Sequence, residues 1–250
     1  MTPPPPLTAL SDLDAQLAAA GYAVLDAASL ARLADIDPQA LAAWAPHWNA
    51  LPPDTHLRDG GRYRRRRHGC FIVDSDRVQA VPHRAHWQPV EYNALHGGIE
   101  RWFEPLAADM VADPAWAALL SGLARHAGAG MAGPWFVEAH PFRIDTTDGI
   151  GRPTPEGAHR DGVDRVAVLL VGRDNVKGGE TRVFDARSPH GVRFTLTEPW
   201  SALLLDDARV IHESTPIQPL DPALPAHRDT LVLTFRRAGF QGPNTDTANP

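Results

Sequence analysis

Hydrophobic and polar residues follow different periods in the two halves of the chain. Before residue 130, apolar side chains recur at helical spacing, as at Leu13, Leu17 and Ala20. After Gly133, short apolar or alternating segments are separated by Gly, Pro, Asp and Asn, a pattern typical of strands. The first half therefore predicts helices and the second half predicts a sheet.

Punctuating residues set the expected helix boundaries. Ser11 suits an N-cap and Gly21 suits a C-terminal stop, and Pro38 suits the start of a later helix. Further helices are predicted from about Ser29 to Asp35, from Gly97 to Met110 and from Pro114 to His126, with a short strand at Tyr22–Leu25. The apolar positions of the last two helices are expected to face a core: Trp102, Leu106, Met110, Trp116, Leu119, Leu120 and Leu123.

Seven strand-like segments follow within about 100 residues, without helices between them. They are 135–144, 165–171, 180–185, 192–197, 201–206, 209–215 and 228–237. Such a series predicts a β-sandwich or barrel of jelly-roll type. Helices first and strands later indicate an α+β fold in which a helical N-terminal half packs on the β half.

The predicted organisation is one domain with two short tails. Residues 1–10 contain a proline run and are expected to be a disordered tail, and residues 241–250 form a C-terminal tail. Residues 11–240 form the domain, with mainly helical support over 11–130 and the β core over 134–237.

Composition excludes several classes of function. The formal net charge is -6 at pH 7, whereas binding a nucleic-acid backbone requires basic surface, so no nucleic-acid partner is expected. The single cysteine, Cys70, excludes an internal disulfide and a Cys-based zinc site, and is expected to be a small buried residue. No apolar run approaches the roughly 20 residues of a membrane span, and there is no signal-peptide pattern. These features predict a cytoplasmic protein without membrane contact and leave a homodimer open.

His159 and Asp161 are candidate metal ligands. Side chains two residues apart point to the same face of an extended strand, so an imidazole and a carboxylate can bind one ion together. His212 lies about fifty residues later, inside a strand-like segment. Two histidines and one carboxylate on one face match the triad of non-haem Fe(II) oxygenases, which leaves coordination positions for a cosubstrate and O₂.

The tripeptide His-Arg-Asp occurs a second time, at residues 227–229. This copy has no histidine after it and cannot begin a sequential triad. A protein-kinase catalytic loop is excluded for either copy, because a glycine-rich phosphate loop and an Asp-Phe-Gly element are missing. Arg228 and Thr230 instead share one strand face and suit a carboxylate, such as the one that 2-oxoglutarate presents away from iron. The alternative for Arg228 is an ordinary surface ion pair.

The motifs together resemble a known family. PEGAHRDGVD, RDNVKGGET, LDDARVIHESTPI and HRDTLVLTF, with the N-terminal GGRYRRRRHG and YNALHGGIERWFEP, are similar to Fe(II)/2-oxoglutarate dioxygenases of the bacterial group that contains L-isoleucine 4-hydroxylase and biofilm-stress-related proteins. The resemblance spans about residues 10–237 and implies a double-stranded β-helix. Departures between Asp145 and Pro155 would bear on substrate choice.

This resemblance implies Fe(II) on His159, Asp161 and His212, with 2-oxoglutarate on Arg228 and Thr230. The implied reaction is hydroxylation of a small molecule by O₂, with release of succinate and CO₂. The carboxylate at Asp161 favours hydroxylation, because related halogenases lack it. Two alternatives stay open: a non-catalytic sensor or binding protein, and a cupin-type metal-dependent hydrolase or isomerase that would leave Arg228 and Thr230 without a role.

The implied substrate is a free or modified L-amino acid, whose own carboxylate needs a second cationic group. Arg143 is the first candidate, and the basic run Arg64–Arg67 is the second. Strand alternation allows at most two arginines of that run to point inward, and Arg64 and Arg66 are the pair expected to do so. The alternative is that all of these arginines form surface ion pairs.

Overall fold

The computed structural model describes residues 3–127 and 133–243. Five α-helices, α1 to α5 in chain order, span Leu13–Ala20, Ala27–Ala34, Pro38–Trp44, Ala108–Ala112 and Pro114–Ala127. Two 3-10 helices span Leu10–Asp12 and Ala45–Ala50. Thirteen strands, β1 to β13, span Tyr22–Leu25, Arg64–Arg66, Gly69–Asp74, Arg77–Ala80, Trp135–Asp145, Arg165–Asp174, Val176–Gly178, Thr181–Asp185, Gly191–Phe194, Ala202–Asp206, Val210–Ser214, Ile217–Pro219 and His227–Arg236. Across these residues, every helix is too short or too polar to cross a membrane.

The strands form a double-stranded β-helix. An eight-stranded major sheet has the order β1-β10-β6-β13-β5-β3-β4, with β2 paired to the edge of β5. The opposing minor sheet consists of β11-β8-β9 and the pair β12-β7, and its strands also pair antiparallel. Val166 and Leu203 of the major sheet pack with Val183 and Phe194 of the minor sheet in one buried cluster. The predicted jelly-roll and the α+β class are both confirmed.

The two faces of the major sheet have different partners. On β13, Leu231, Leu233 and Phe235 are fully buried against the helices. The alternate residues Thr230 and Val232 point to the space between the two sheets. This alternation follows from the two-residue period of a strand. It places hydrophobic packing on one face of β13 and leaves the other face for a cavity.

The end of α1 and the start of α3 lie where the sequence predicts, whereas Ser11 lies in a 3-10 helix instead of capping α1, and α2 begins at Ala27 rather than near Ser29. α1 ends at Gly21, whose φ of 75° is the left-handed conformation that glycine adopts at low cost. The Asp26 and Asp37 carboxylates accept hydrogen bonds from backbone N–H groups in the first turns of α2 and α3. Gly122 brings α5 against α2, since a Cβ there would lie 2.7 Å from the Ala34 Cα. The large side chains of these helices cover the outer face of the major sheet.

The predicted helix from Gly97 to Met110 is wrong over most of its length. Only α4 is helical there, and the chain before it is turn or extended. Arg101 forms an isolated antiparallel bridge with His86, and Pro105 disfavours a helical conformation at the residue before it. Trp102 is 56% exposed rather than buried, whereas the other predicted core positions of this region and of α5 are buried. A helical spacing of apolar residues did not decide the structure here.

The predicted division into helical support and β core also needs correction. Four strands, β1 to β4, lie before residue 130 and belong to the major sheet. The N-terminal tail is ordered at its end, because Leu7 bridges to Val24 and the Thr8 N–H donates to the Val24 carbonyl. The C-terminal tail begins with Gln241, which is buried. Residues 1–2, 128–130 and 244–250 of these predicted segments lie outside the described residues.

Candidate metal centre and its cavity

His159, Asp161 and His212 come together at one point between the sheets. His159 Nε2 lies 3.8 Å from Asp161 Oδ1, and His212 Nε2 lies 3.8 Å from Asp161 Oδ2. Ligand bonds of about 2.0–2.2 Å bring neighbouring ligand atoms to about 3 Å, so small side-chain rotations suffice to enclose an ion. Two imidazoles and one carboxylate are a suitable donor set for iron(II). The three residues therefore fit a metal of this kind.

Backbone pairing fixes the two histidines relative to each other. The His159 N–H donates to the His212 carbonyl at 3.0 Å, and the His212 N–H donates to the His159 carbonyl at 2.9 Å. This isolated bridge joins the loop before β6 to β11. His159 Nδ1 donates to the Gly157 carbonyl at 2.9 Å, which leaves the Nε2 lone pair free for a metal.

Asp207 holds the loop that carries Asp161. Its fully buried carboxylate accepts hydrogen bonds from the backbone N–H groups of Asp161, Gly162 and Val163. Gln241 donates from Nε2 to the carbonyls of Asp161 and Gly162 on the same loop. The loop is therefore held by one residue from the β10–β11 turn and one from beyond β13. Neither was predicted as part of the site, although Asp206-Asp207 is a visible acidic turn before His212.

Gln88 contacts the Asp161 carboxylate directly. Its Nε2 donates to Asp161 Oδ1 at 3.2 Å, and its Oε1 accepts from Arg101 at 2.9 Å and from Asn93 at 3.0 Å. Because two donors occupy the amide oxygen, the amide nitrogen must face Asp161. The sequence offers no local signal for this contact, since 73 residues separate the partners.

Burial and charge set the protonation states of the two histidines in opposite directions. Burial, with the neighbouring His159 charge, lowers the pKa of His212 to about 3, so this imidazole is neutral. Burial also acts to lower the pKa of His159, but the Asp161 and Glu156 carboxylates outweigh it and raise the pKa above its ordinary value. A metal ion requires both rings to be neutral at the ligating nitrogen.

The triad opens into a cavity of about 140 Å³. Arg228 and Thr230 line it, as predicted from strand alternation. Burial, with the charge of Arg173, lowers the pKa of Arg228 to about 10, so the guanidinium remains protonated at neutral pH. Within the described residues Arg228 makes no ion pair, and its Nε has no hydrogen-bond partner. A surface ion pair is therefore not the arrangement of this side chain.

The Gly178-Gly179 turn makes room for Arg228. Both glycines have positive φ, 82° and 69°. A Cβ on Gly178 would lie 2.2 Å from the Pro216 carbonyl oxygen, and one on Gly179 would lie 3.3 Å from the Arg228 Cδ. The turn thus brings the minor sheet close to Arg228 in a way that larger residues would obstruct.

The predicted substrate arginines divide between the cavity and the opposite face. Arg64 and Arg66 line the cavity and are buried, whereas Arg65 points outward toward Asp145. Arg143 does not line the cavity, and its prediction as a substrate-binding residue needs correction. Its guanidinium donates to both Asp229 carboxylate oxygens, at 2.8 and 2.6 Å, because odd-numbered residues of β5 in this segment face away from the cavity.

A second cluster of metal-ligand types lies beside the cavity, formed by His68, His86, Glu138 and His140. Arg66 donates to His140 Nδ1 at 2.7 Å, and a guanidinium can only donate, so the neutral His140 carries its proton on Nε2. Glu138 Oε2 lies 3.0 Å from His68 Nε2 and 2.7 Å from His86 Nδ1 and accepts hydrogen bonds from both. The nitrogens that face the centre of the cluster therefore carry protons, and a hydrogen-bonded polar core explains the arrangement. Cys70 is buried next to it, as predicted.

The chain is similar to known proteins over most of its length. The model of the family described as 2OG-Fe dioxygenase matches residues 45–234. The solved structure of a bsmA homologue from Methylobium petroleophilum PM1 is 57% identical, with a TM-score of 0.90 over 95% of this chain and 96% of that one. Comparison with curated proteins gave no match.

Two more distant structures share the fold. IDO from Bacillus thuringiensis is 17% identical over 92% of this chain and 96% of that one, with a TM-score of 0.71. TqaL, an Fe(II)/(alpha)ketoglutarate-dependent dioxygenase, is 22% identical over 96% of this chain and 91% of that one, also with a TM-score of 0.71. Because the family model covers most of the chain, the protein belongs to the 2OG-Fe dioxygenase family and uses Fe(II), 2-oxoglutarate and O₂ as an Fe(II)/2-oxoglutarate-dependent dioxygenase.

Proposed function

We propose that the protein hydroxylates a small molecule, a free or modified L-amino acid, with release of succinate and CO₂. The observation that carries the proposal is the convergence of His159, Asp161 and His212 in a cavity that also presents Arg228 and Thr230. The amino-acid class rests on the sequence resemblance to the group that contains L-isoleucine 4-hydroxylase. It is supported by two cationic regions in one cavity, one for each carboxylate.

The residues have separate roles in this proposal. His159 Nε2, the Asp161 carboxylate and His212 Nε2 hold Fe(II), and Arg228 with Thr230 binds the distal carboxylate of 2-oxoglutarate. When bound, iron with 2-oxoglutarate and O₂ supplies the oxidising chemistry for C–H hydroxylation. A guanidinium suits the 2-oxoglutarate carboxylate because two parallel N–H···O bonds match its geometry. Asp161 as a full triad member favours a hydroxylated product over a halogenated one.

The protein also prepares the site before substrate binds. The Asp207 carboxylate holds the backbone of the Asp161 loop, and Gln88 binds Asp161 Oδ1, so that Oδ2 remains free toward His212. Apolar side chains of the major sheet, among them Val168 and Leu203, line the cavity and exclude water from part of it. Such preorganisation keeps the ligands in place at little cost during the reaction.

The two alternatives explain less. A non-catalytic sensor would not need the complete triad together with an unpaired buried arginine. A cupin-type hydrolase or isomerase would leave Arg228 without a function. The cytoplasmic location, the oligomeric state and the absence of a nucleic-acid partner stay predictions.

The test is 2-oxoglutarate consumption and succinate formation across a panel of free and N-modified L-amino acids with Fe(II). We expect at least one amino acid to raise succinate formation well above the rate without substrate, and the product to gain one oxygen atom. The His212→Ala variant is the inactive control. If slow 2-oxoglutarate decarboxylation occurs but no amino acid stimulates it, the substrate class is wrong while the family assignment stands.

A further inference from the structure

Buried polar atoms without hydrogen-bond partners concentrate in the cavity. Across the described residues, twelve such side-chain atoms occur, and seven belong to residues that line this cavity: Arg64, Arg66, Arg101, Glu156, His212, Ser214 and Arg228. Buried polar groups in native proteins nearly always have partners, so these atoms must be met by water or by a polar ligand that enters the cavity. The proposed 2-oxoglutarate site accounts for Arg228, and the His212 atom is Nδ1, the ring nitrogen that does not face Asp161. The remaining atoms need another explanation.

Arg64 and Arg101 form a cationic region at one side of the cavity. Arg64 donates from Nε to Asp54 at 2.7 Å, and its NH2 group has no partner. Arg101 is 2% exposed, donates to Gln88 and has an unpartnered Nε. Burial, with the nearby charge of Arg64, lowers the pKa of Arg101 to about 10, so the Arg101 guanidinium stays charged at neutral pH. Each thus offers an N–H donor to an incoming anion.

This region is separate from the proposed 2-oxoglutarate site. Arg64 on β2 and Arg228 on β13 both pair with Ile144 of β5, from its two sides. Two strand spacings, about 10 Å, therefore separate their backbones. One cavity can then hold two carboxylates at once, one near Arg228 and one near Arg64 and Arg101.

Glu156 provides a negative charge in the same cavity. Its Oε1 lies 3.5 Å from His159 Nε2, and its buried Oε2 has no partner. No ion pair within 4.0 Å joins Glu156 to Arg64 or to Arg101 in the described chain, although all three line the cavity. The guanidinium groups of Arg64 and Arg101 and the carboxylate of Glu156 thus face the same cavity without forming ion pairs with each other.

We propose that Arg64 and Arg101 bind the α-carboxylate of the substrate and that Glu156 binds its α-ammonium group. The inference rests on the proposed function and goes further, because it requires a zwitterionic α-amino acid with an unmodified amino group. An N-acylated amino acid has no ammonium and would leave the Glu156 carboxylate buried and unpaired. A site binds an analogue much more weakly when the analogue leaves a buried polar group of the site without a partner.

The experiment compares variants Arg101→Met and Glu156→Gln with wild type and with Arg65→Met. Arg65 belongs to the same basic run, points outward and serves as the matched control. The probes are the twenty standard L-amino acids, their N-acetyl derivatives, and the des-amino and decarboxylated analogues of the aliphatic members. Succinate formation gives KM and kcat. Thermal stabilisation of the Co(II) and 2-oxoglutarate-loaded protein gives binding without turnover, and Co(II) content checks the metal centre.

We expect kcat/KM for the preferred L-amino acid to be at least about 100-fold higher than kcat/KM for its N-acetyl derivative. Arg101→Met should raise its KM by about 10- to 100-fold with a smaller change in kcat, as for loss of a charged hydrogen bond. Glu156→Gln should raise the KM of the amino acid by about 10-fold or more and leave binding of the des-amino analogue unchanged. Arg65→Met should behave as wild type.

Several results would overturn the inference while leaving the amino-acid class intact: N-acetyl derivatives that work equally well, or variants at residues 101 and 156 that keep the wild-type KM. Loss of Co(II) from Glu156→Gln would place this carboxylate in the metal centre instead. If no amino acid stimulates turnover or stabilises the wild-type protein, the proposed substrate class fails and the inference fails with it.

Discussion

The two faces of the major sheet carry opposite chemistry on the same strands. On β5, Val137 and Ala139 are fully buried against the helices, whereas Glu138 and His140 face the side of the cavity. Along β5, the residues on the outer face belong to a close-packed hydrophobic layer, and the residues on the inner face are charged or polar and form hydrogen bonds with neighbouring side chains. The difference shows that one strand pattern can encode stability and function at alternate residues. Substitutions on the two faces should therefore affect different measurements.

The largest expected effect follows from removing a triad residue. Replacing His159, Asp161 or His212 with alanine should lower Fe(II)-dependent turnover on the order of 10³-fold or more, since a metal-ligand set acts as a unit. Steady-state succinate formation measures this, and circular dichroism should show an intact fold. His227→Ala, in the second His-Arg-Asp copy, is the matched control and should retain activity. Full activity in any triad variant would contradict the ligand assignment.

Truncation on the outer face should instead reduce stability. Trp116 is 1% exposed and packs edge-on against Trp44, with ring centroids 5.7 Å apart. Trp116→Ala should lower the free energy of unfolding by about 3–5 kcal/mol, because it opens a large cavity in the core. Chemical denaturation measures this, and the metal content of the folded protein should stay at the wild-type level. If Trp116→Ala kept its stability but lost metal, the assignment of stability to the outer face and of metal binding to the inner face would be wrong.

On the inner face, Arg228→Ala should raise the KM for 2-oxoglutarate about 10- to 1000-fold, because a charged hydrogen-bonded pair is lost. The KM for 2-oxoglutarate measures the change, and Co(II) binding should survive. Arg228→Lys keeps the positive charge but cannot form the two parallel hydrogen bonds that a guanidinium makes to a carboxylate. This variant should therefore give an intermediate KM for 2-oxoglutarate. Loss of metal with unchanged 2-oxoglutarate affinity would mean that the two His-Arg-Asp copies have the opposite roles.

The smallest expected effect concerns a residue that contacts a proposed ligand. Gln88→Leu should weaken Co(II) or Fe(II) affinity about 10- to 100-fold, because partners of metal ligands orient them. Competition with a chelator measures the affinity without relying on turnover. Gln79→Leu, on the exposed face of β4, is the control. Unchanged metal affinity in Gln88→Leu would show that Asp161 needs no such support.

Local patterns were sufficient wherever a short segment decides the outcome. All seven predicted strands of the second half occur, and spacing correctly indicated that Arg64, Arg66, Arg228 and Thr230 face the cavity. Spacing failed for the segment 97–107, where Arg101 pairs with His86 instead of entering a helix. The choice of Arg143 as the second cationic group was also wrong, because its partner Asp229 lies 86 residues away on the outer face.

The sequence by itself determined the seven main strands of the second half, the facing of residues along them and the candidate metal ligands, because these depend on spacings of two to four residues and on side-chain chemistry. The tertiary structure alone decided how distant segments complete the site. Gln88 and Arg101 come from the connection between β4 and α4, Glu156 from the connection between β5 and β6, and Asp207 from the β10–β11 turn, and the fold brings these three segments together. Contacts of this kind depend on strand order and register, which no short segment specifies. The charge balance of the cavity is therefore a property of the fold.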